Sequence, residues 1–157
     1  MKNIIKISCV LTVLFIAAAC KKDLDFNRDN TTPTGVGYAP VSANPIQDIT
    51  VNPPKSLATT SGSATAYTAG ATFKVELTFF SQSPVKETTL SQTIAGTKTL
   101  VTTIPYAAAF SKNKDSDTLL VPYTIPAVAG GTVIRLDYQI TNVNALNVIR
   151  TVYVKAQ

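Results

Sequence analysis

The sequence predicts an all-β protein, folded as one antiparallel β-sandwich of about seven strands. Three observations carry that expectation. Phe73, Val75, Leu77 and Phe79 alternate with Thr72, Lys74, Glu76 and Thr78, the period-two pattern of a strand with one face buried. Turn-forming residues recur at short intervals, at Ser81-Gln82-Ser83-Pro84, Ala95-Gly96-Thr97, Gly130-Gly131 and Asn142 to Asn147. Nothing after residue 20 shows a long apolar repeat at helical spacing.

The elements follow in chain order. Prolines 40, 45, 53 and 54 punctuate the first part of the domain, where residues 46–51 form the best strand candidate. Pro53-Pro54 cannot continue a ladder and should end it. Residues 56–69 are small and polar, a loop or a loosely paired edge. The strand at 72–80 ends on Phe80, which breaks the polar face and is expected to be partly exposed. A Thr-rich strand at 85–94 then turns through Ala95-Gly96-Thr97 into 98–104, the spacing of a hairpin. Tyr106 to Phe110, with three alanines between aromatics, is either a helical turn or a crossing between sheets.

Residues 111–117 read as a charged loop, after which Leu119, Val121, Tyr123 and Ile125 alternate again. Pro122 lies on the opposite parity and has no amide proton, so this strand should sit at an edge or pair on one side only. In the strand at 132–141, Ile134, Leu136, Tyr138 and Ile140 face inward while Arg135, Asp137 and Gln139 face outward. The last strand, 148–155, carries Val148, Val152 and Val154 on one parity and Ile149 and Tyr153 on the other. Tyr138-Gln139-Ile140-Thr141-Asn142, leading into residues 148–154, resembles the closing F and G strands of fibronectin type III and related immunoglobulin-like domains. The resemblance covers the last two strands and otherwise rests on strand count. It implies an immunoglobulin-like sandwich over residues 40–157, without the Cys pair and core Trp of antibody-type domains.

The chain begins differently. Lys2 and Lys6 precede an uncharged, largely apolar run, residues 7–19, that closes on Ala17-Ala18-Ala19 before Cys20. This is the layout of a secretory signal peptide, and the run is shorter than the roughly 20 apolar residues of a spanning helix. Small residues before a cysteine resemble the lipobox of bacterial lipoproteins, with Ala17 where Leu is usual. The resemblance implies removal of residues 1–19 and lipidation of Cys20, which would anchor the chain in a membrane through acyl chains; an ordinary secreted protein is the alternative. Lys21 follows where some bacteria read Asp as an inner-membrane retention mark, which favours the outer membrane. Lys21-Lys22-Asp23-Leu24-Asp25 is similar to the charged tract that directs lipoproteins of the Bacteroidota to the cell surface. Residues 20–39 are polar, with Gly35, Gly37 and Pro33, and read as a flexible tether.

Composition narrows the chemistry. Fourteen Lys and Arg face nine Asp and Glu, and removing Lys2 and Lys6 leaves twelve bases, scattered over the chain. Nucleic-acid binders concentrate such bases on one face, so no nucleic-acid partner is expected. On the lipobox resemblance Cys9 would leave with the signal peptide and Cys20 would carry lipid, so the domain would stand without disulfides. With no His and no free Cys, imidazole or thiolate metal sites and Ser-His-Asp or Cys-His catalysis are excluded. Asp115 and Asp117, with Asn113, resemble the start of a calcium loop, but no Gly follows and Lys112 and Lys114 oppose the charge. A glycosidase needs two carboxylates flanking a sugar. Here Asp48, Glu76, Glu87 and Asp137 are dispersed on outward positions and there is no Trp platform. No enzyme and no cofactor are therefore expected.

Asp117-Thr118-Leu119 is similar to the short sequence at which Bacteroidota O-glycosylate exported proteins, although Thr118 opening a strand is the preferred reading. Tyr38, Tyr67, Tyr106 and Tyr123 are candidates for exposed tyrosines that bind a glycan or a partner loop, although tyrosine stripes are more often core and Tyr123, like Tyr138, lies on an inward parity. The expectation is a binding or assembly module for a glycan or protein partner, held at the cell envelope through Cys20. The alternative is a structural spacer that pairs through the strand near Pro122 or the final strand; a third is a small carboxylate-dependent hydrolase, which would need a cleft that groups Asp115, Asp117 and a distant acid. Lys74 and Glu76 would discourage such pairing if their strand were at an edge.

Overall fold

The computed structural model describes residues 38–42 and 44–157. The signal-like segment 1–19, Cys20 and all but the last two residues of the tether lie outside the described residues. Eleven strands occur among the described residues: β1 (Val41–Ser42), β2 (Gln47–Asp48), β3 (Lys55–Ser56), β4 (Thr65–Tyr67), β5 (Thr72–Phe80), β6 (Val85–Ile94), β7 (Thr97–Pro105), β8 (Phe110–Ser111), β9 (Ser116–Thr124), β10 (Val133–Asn142) and β11 (Asn147–Ala156). They form two sheets. The first runs β3-β2-β5-β9-β8, with β1 also pairing β5, and the second runs β4-β11-β10-β6-β7. The buried side chains of both sheets form one core, making a β-sandwich.

Each of the seven expected strands has a counterpart. The four additional ones, β1, β3, β4 and β8, have two or three residues each, too few for alternation to show. Pairing is antiparallel throughout except for β4, which lies parallel to β11. The expected strand at 46–51 shrinks to β2, because the Asp48 carboxylate accepts the Thr50 amide at 2.8 Å and turns the chain.

Alternation accounts for the long strands. Phe73, Val75, Leu77 and Phe79 of β5 are buried against Leu136, Tyr138 and Ile140 of β10 and Val152 and Val154 of β11 within the common core. Phe80 is 41% exposed, whereas Thr78, on the outward parity, is buried. The β6–β7 hairpin closes on Ala95 and Gly96, whose φ values of 48° and 83° are the positive angles a type I′ turn requires. Residues 106–109 carry the chain from β7 in the second sheet to β8 in the first, which makes this stretch the crossing and not the helical turn.

β9 pairs with β5 along its length, but β8 reaches only Ser116 and Asp117. Pro122 therefore sits on a strand open on its other side, as its missing amide demands. β5 lies between β2 and β9, so Lys74 and Glu76 guard no edge. Among the described residues, β11 is paired on its outer side only from Tyr153 onward, by a bridge to Ala58 and then by β4.

Candidate functional site

The charged loop is shorter than expected. Lys112 to Asp115 form the turn, Asp115 is exposed at φ +48°, and β9 begins at Ser116, so Asp117 is a strand residue and buried. Its parity turns it inward, where the Ser81 hydroxyl donates to Oδ2, the Tyr106 hydroxyl donates to Oδ2 at 3.2 Å, and the Ala109 amide donates to Oδ1 at 3.3 Å. Burial holds the Tyr106 phenol above its usual range, with the Ser81 hydroxyl pulling the other way. Lys114 leaves the turn to pair with Glu76. Asp115 and Asp117 thus differ in burial and partners, and no three acidic, His or Cys side chains gather as a metal site among the described residues.

The cavity beside Asp117, bounded by Phe79, Tyr106 and Leu119, has about 10 Å³, no more than a single water requires. A carboxylate with three donors and no room for a substrate is a fastener: it ties the crossing to β9 and to the end of β5. Thr118 stands beside it with a buried Oγ1 that has no hydrogen-bond partner among the described residues.

The other acids are not all outward. Asp48 is 1% exposed and accepts the Tyr67 hydroxyl at 2.7 Å, joining β2 of the first sheet to β4 of the second. Asp137 keeps its outward parity but is covered by Arg135 at 2.8 Å, Lys98 at 3.3 Å and the Thr151 hydroxyl at 2.6 Å. Burial pushes this carboxyl up, but the Thr151, Arg135 and Lys98 bonds together outweigh it and hold the carboxyl below the usual range. Glu87 pairs with Lys86 at 3.4 Å.

Of the candidate tyrosines, Tyr38 is exposed, Tyr106 is half-buried, and Tyr67 is half-buried and stacked on Phe73 at 4.2 Å. Tyr123 is a correction: its inward parity buries it to 2% exposure, its hydroxyl donates to Gln92 at 2.6 Å, and burial pushes the phenol up to about 12.

The surface feature with room for a ligand is a groove of about 350 Å³, lined by Ser42, Asn44, Pro45, Ile46, Thr59, Arg150, Thr151 and Val152. It lies at the uncovered half of β11, facing the segment between β1 and β2. Among the described residues, Arg150 is its one charged side chain and no carboxylate lines it. The signal was present in the sequence, since Arg150 interrupts the inward row of Val148, Val152 and Val154. No family model and no curated protein matches this chain.

Proposed function

We propose that this chain is an outer-membrane or cell-surface lipoprotein, anchored through lipidated Cys20. Residues 20–39 then serve as the tether, and an immunoglobulin-like domain works as a non-enzymatic binding or assembly module for a glycan or protein partner. The small-residue run before Cys20 supports the anchor. For the immunoglobulin-like reading, the support is the pairing order: β5 with β9 in one sheet, β6 with β10 and β10 with β11 in the other, and β4 parallel to the last strand.

The observation that carries the module reading is the groove of about 350 Å³ beside β11, which presents hydroxyl, amide and guanidinium groups among the described residues. A structural spacer is the second reading, favoured by β7 and by the Pro122 half of β9, both open along one side. Metabolic palmitate labelling with membrane fractionation tests the anchor: Cys20→Ser should lose label and move to the soluble fraction. Cross-linking on intact cells tests the module. A covalent adduct with another protein or with polysaccharide supports it, and a chain that stays uncross-linked counts against it.

A further inference from the structure

Resting on the module reading above, we infer that the groove takes an extended peptide bearing a carboxylate, which adds as a strand to the open half of β11 and places its acid on Arg150. The backbone comes first. The Tyr153 amide donates to the Ala58 carbonyl at 2.8 Å, so Tyr153 points its peptide groups away from β10. Groups two residues apart along a strand point the same way. The N–H and C=O of Thr151 and Ile149 therefore face the same outer side, where the chain has already left: Ala58 makes the last bridge and Thr59 turns off into the 3-10 turn Ser61–Ser63. No backbone bond outside the β10 ladder closes these groups among the described residues. One lane of the sheet is thus started by Ala58 and carries no backbone bond at the next positions among the described residues.

The walls of that lane suit a peptide. Ser42 and Asn44 stand opposite, held to one another by the Ser42 hydroxyl donating to the Asn44 carbonyl at 3.1 Å, while Ile46 and Val152 make an apolar floor. A volume of about 350 Å³ lies at the small end of ligand sites and accommodates a few residues of an extended segment, not a folded surface. Charge selects the occupant. Arg150 shares the inward parity with Val148 and Val152, yet it is exposed at the groove and makes no ion pair or hydrogen bond among the described residues. By contrast Arg135, on the other face of the same sheet, is bound to Asp137. A guanidinium left open beside vacant peptide groups fits a carboxylate carried on a strand, with the main chain supplying affinity and the acid supplying register.

The test uses the detergent-solubilised full chain and three synthetic peptides, Thr-Val-Thr-X-Thr-Val-Thr with X as Glu, Gln or Lys. The Glu peptide should bind about tenfold more tightly than the other two and slow amide exchange at Ile149 and Thr151. Arg150→Glu should reverse the order, so that the Lys peptide binds best; Arg150 is exposed, and a folded variant is verified by its unchanged far-UV spectrum. Equal binding of the three peptides, no binding, or an unreversed order in Arg150→Glu overturns the assignment. Protection of the same amides by a neutral glucan oligosaccharide, or by raising the protein concentration alone, also overturns it and points to a sugar or a second copy. Failure here alongside a cross-linked partner on cells removes only the groove assignment, whereas loss of both removes the module reading.

Discussion

Asp117 and Asp137 are both strand aspartates with 5% exposure, yet they are satisfied in opposite ways. Asp117 turns inward and collects neutral donors from distant parts of the chain: Ser81 after β5, and Tyr106 and Ala109 in the crossing between sheets. Asp137 turns outward and collects two cations and a hydroxyl from its own strand and from β7 and β11 of the same sheet. The first carboxylate ties the crossing to β9 and to the end of β5, joining segments that lie far apart in the chain. The second decorates a sheet that is already paired, and water can replace what it offers.

The largest effect should follow from breaking the inner cluster. Asp117→Ala leaves two hydroxyls and a backbone amide without this acceptor; Ser81 and Ala109 are exposed, so water replaces part of what is lost, and a loss of about 2 kcal/mol is expected. Urea unfolding measures it, and Asp115→Ala in the neighbouring turn, where the side chain is exposed, should stay within about 0.5 kcal/mol of the parent. Equal losses at the two positions would erase the distinction between fastener and turn.

An acid titration sharpens the other side of the comparison. The Asp137 carboxyl is held below its ordinary value in the folded chain, so it is ionised in the native state at pH values where the unfolded chain has begun to take up a proton. Its contribution is therefore complete above the unfolded value, near 3.9, and is lost as pH falls through the lower folded value. Asp137→Asn should cost about 1 kcal/mol at neutral pH, and the gap between variant and parent should close as the solution is acidified. A gap independent of pH would mean that the ionised form contributes nothing.

Truncating the hydroxyl that serves this carboxylate should cost less. Thr151→Val keeps the shape and removes a 2.6 Å bond on a face with access to water, for an expected loss of about 0.5 to 1 kcal/mol in urea unfolding. If the loss matched that of Asp117→Ala, the outer face would be as dependent on its network as the inner one.

The same two aspartates show where the sequence was legible. Period-two alternation correctly placed the long strands and the inward rows of β5, β9 and β10, because apolar side chains on one parity leave the backbone few alternatives. Polar residues gave less away. Asp117 reads as the end of a charged loop until β8 supplies a partner for Ser116 and Asp117, and that partner is two residues long. Asp137 reads as solvent-exposed because parity reports direction, not what long side chains on neighbouring strands fold over it. Asp48 departs from its expected outward position for a related reason: its tyrosine partner is 19 residues away on a three-residue strand. The groove needed the pairing of β4 and Ala58 with β11, a long-range fact, although Arg150 within a valine row already marked the place.

The smallest energetic effect, and the one that separates stability from association, is expected at Lys98. Its ammonium lies 3.3 Å from Asp137 but its side chain is 55% exposed, so the pair belongs with surface salt bridges that contribute well under about 1 kcal/mol. Lys98→Gln should lower stability by no more than about 0.5 kcal/mol, and the difference should shrink further in 1 M salt. Lys98 is also the one charged residue of β7, a nine-residue outer strand rich in Thr and carrying exposed Leu100 and Val101. A long edge without charge is open to pairing with another chain. The variant should therefore self-associate more than the parent in sedimentation velocity at equal concentration, while its unfolding midpoint barely moves. A shifted midpoint with unchanged sedimentation would mean that Lys98 serves Asp137 and does not protect the edge.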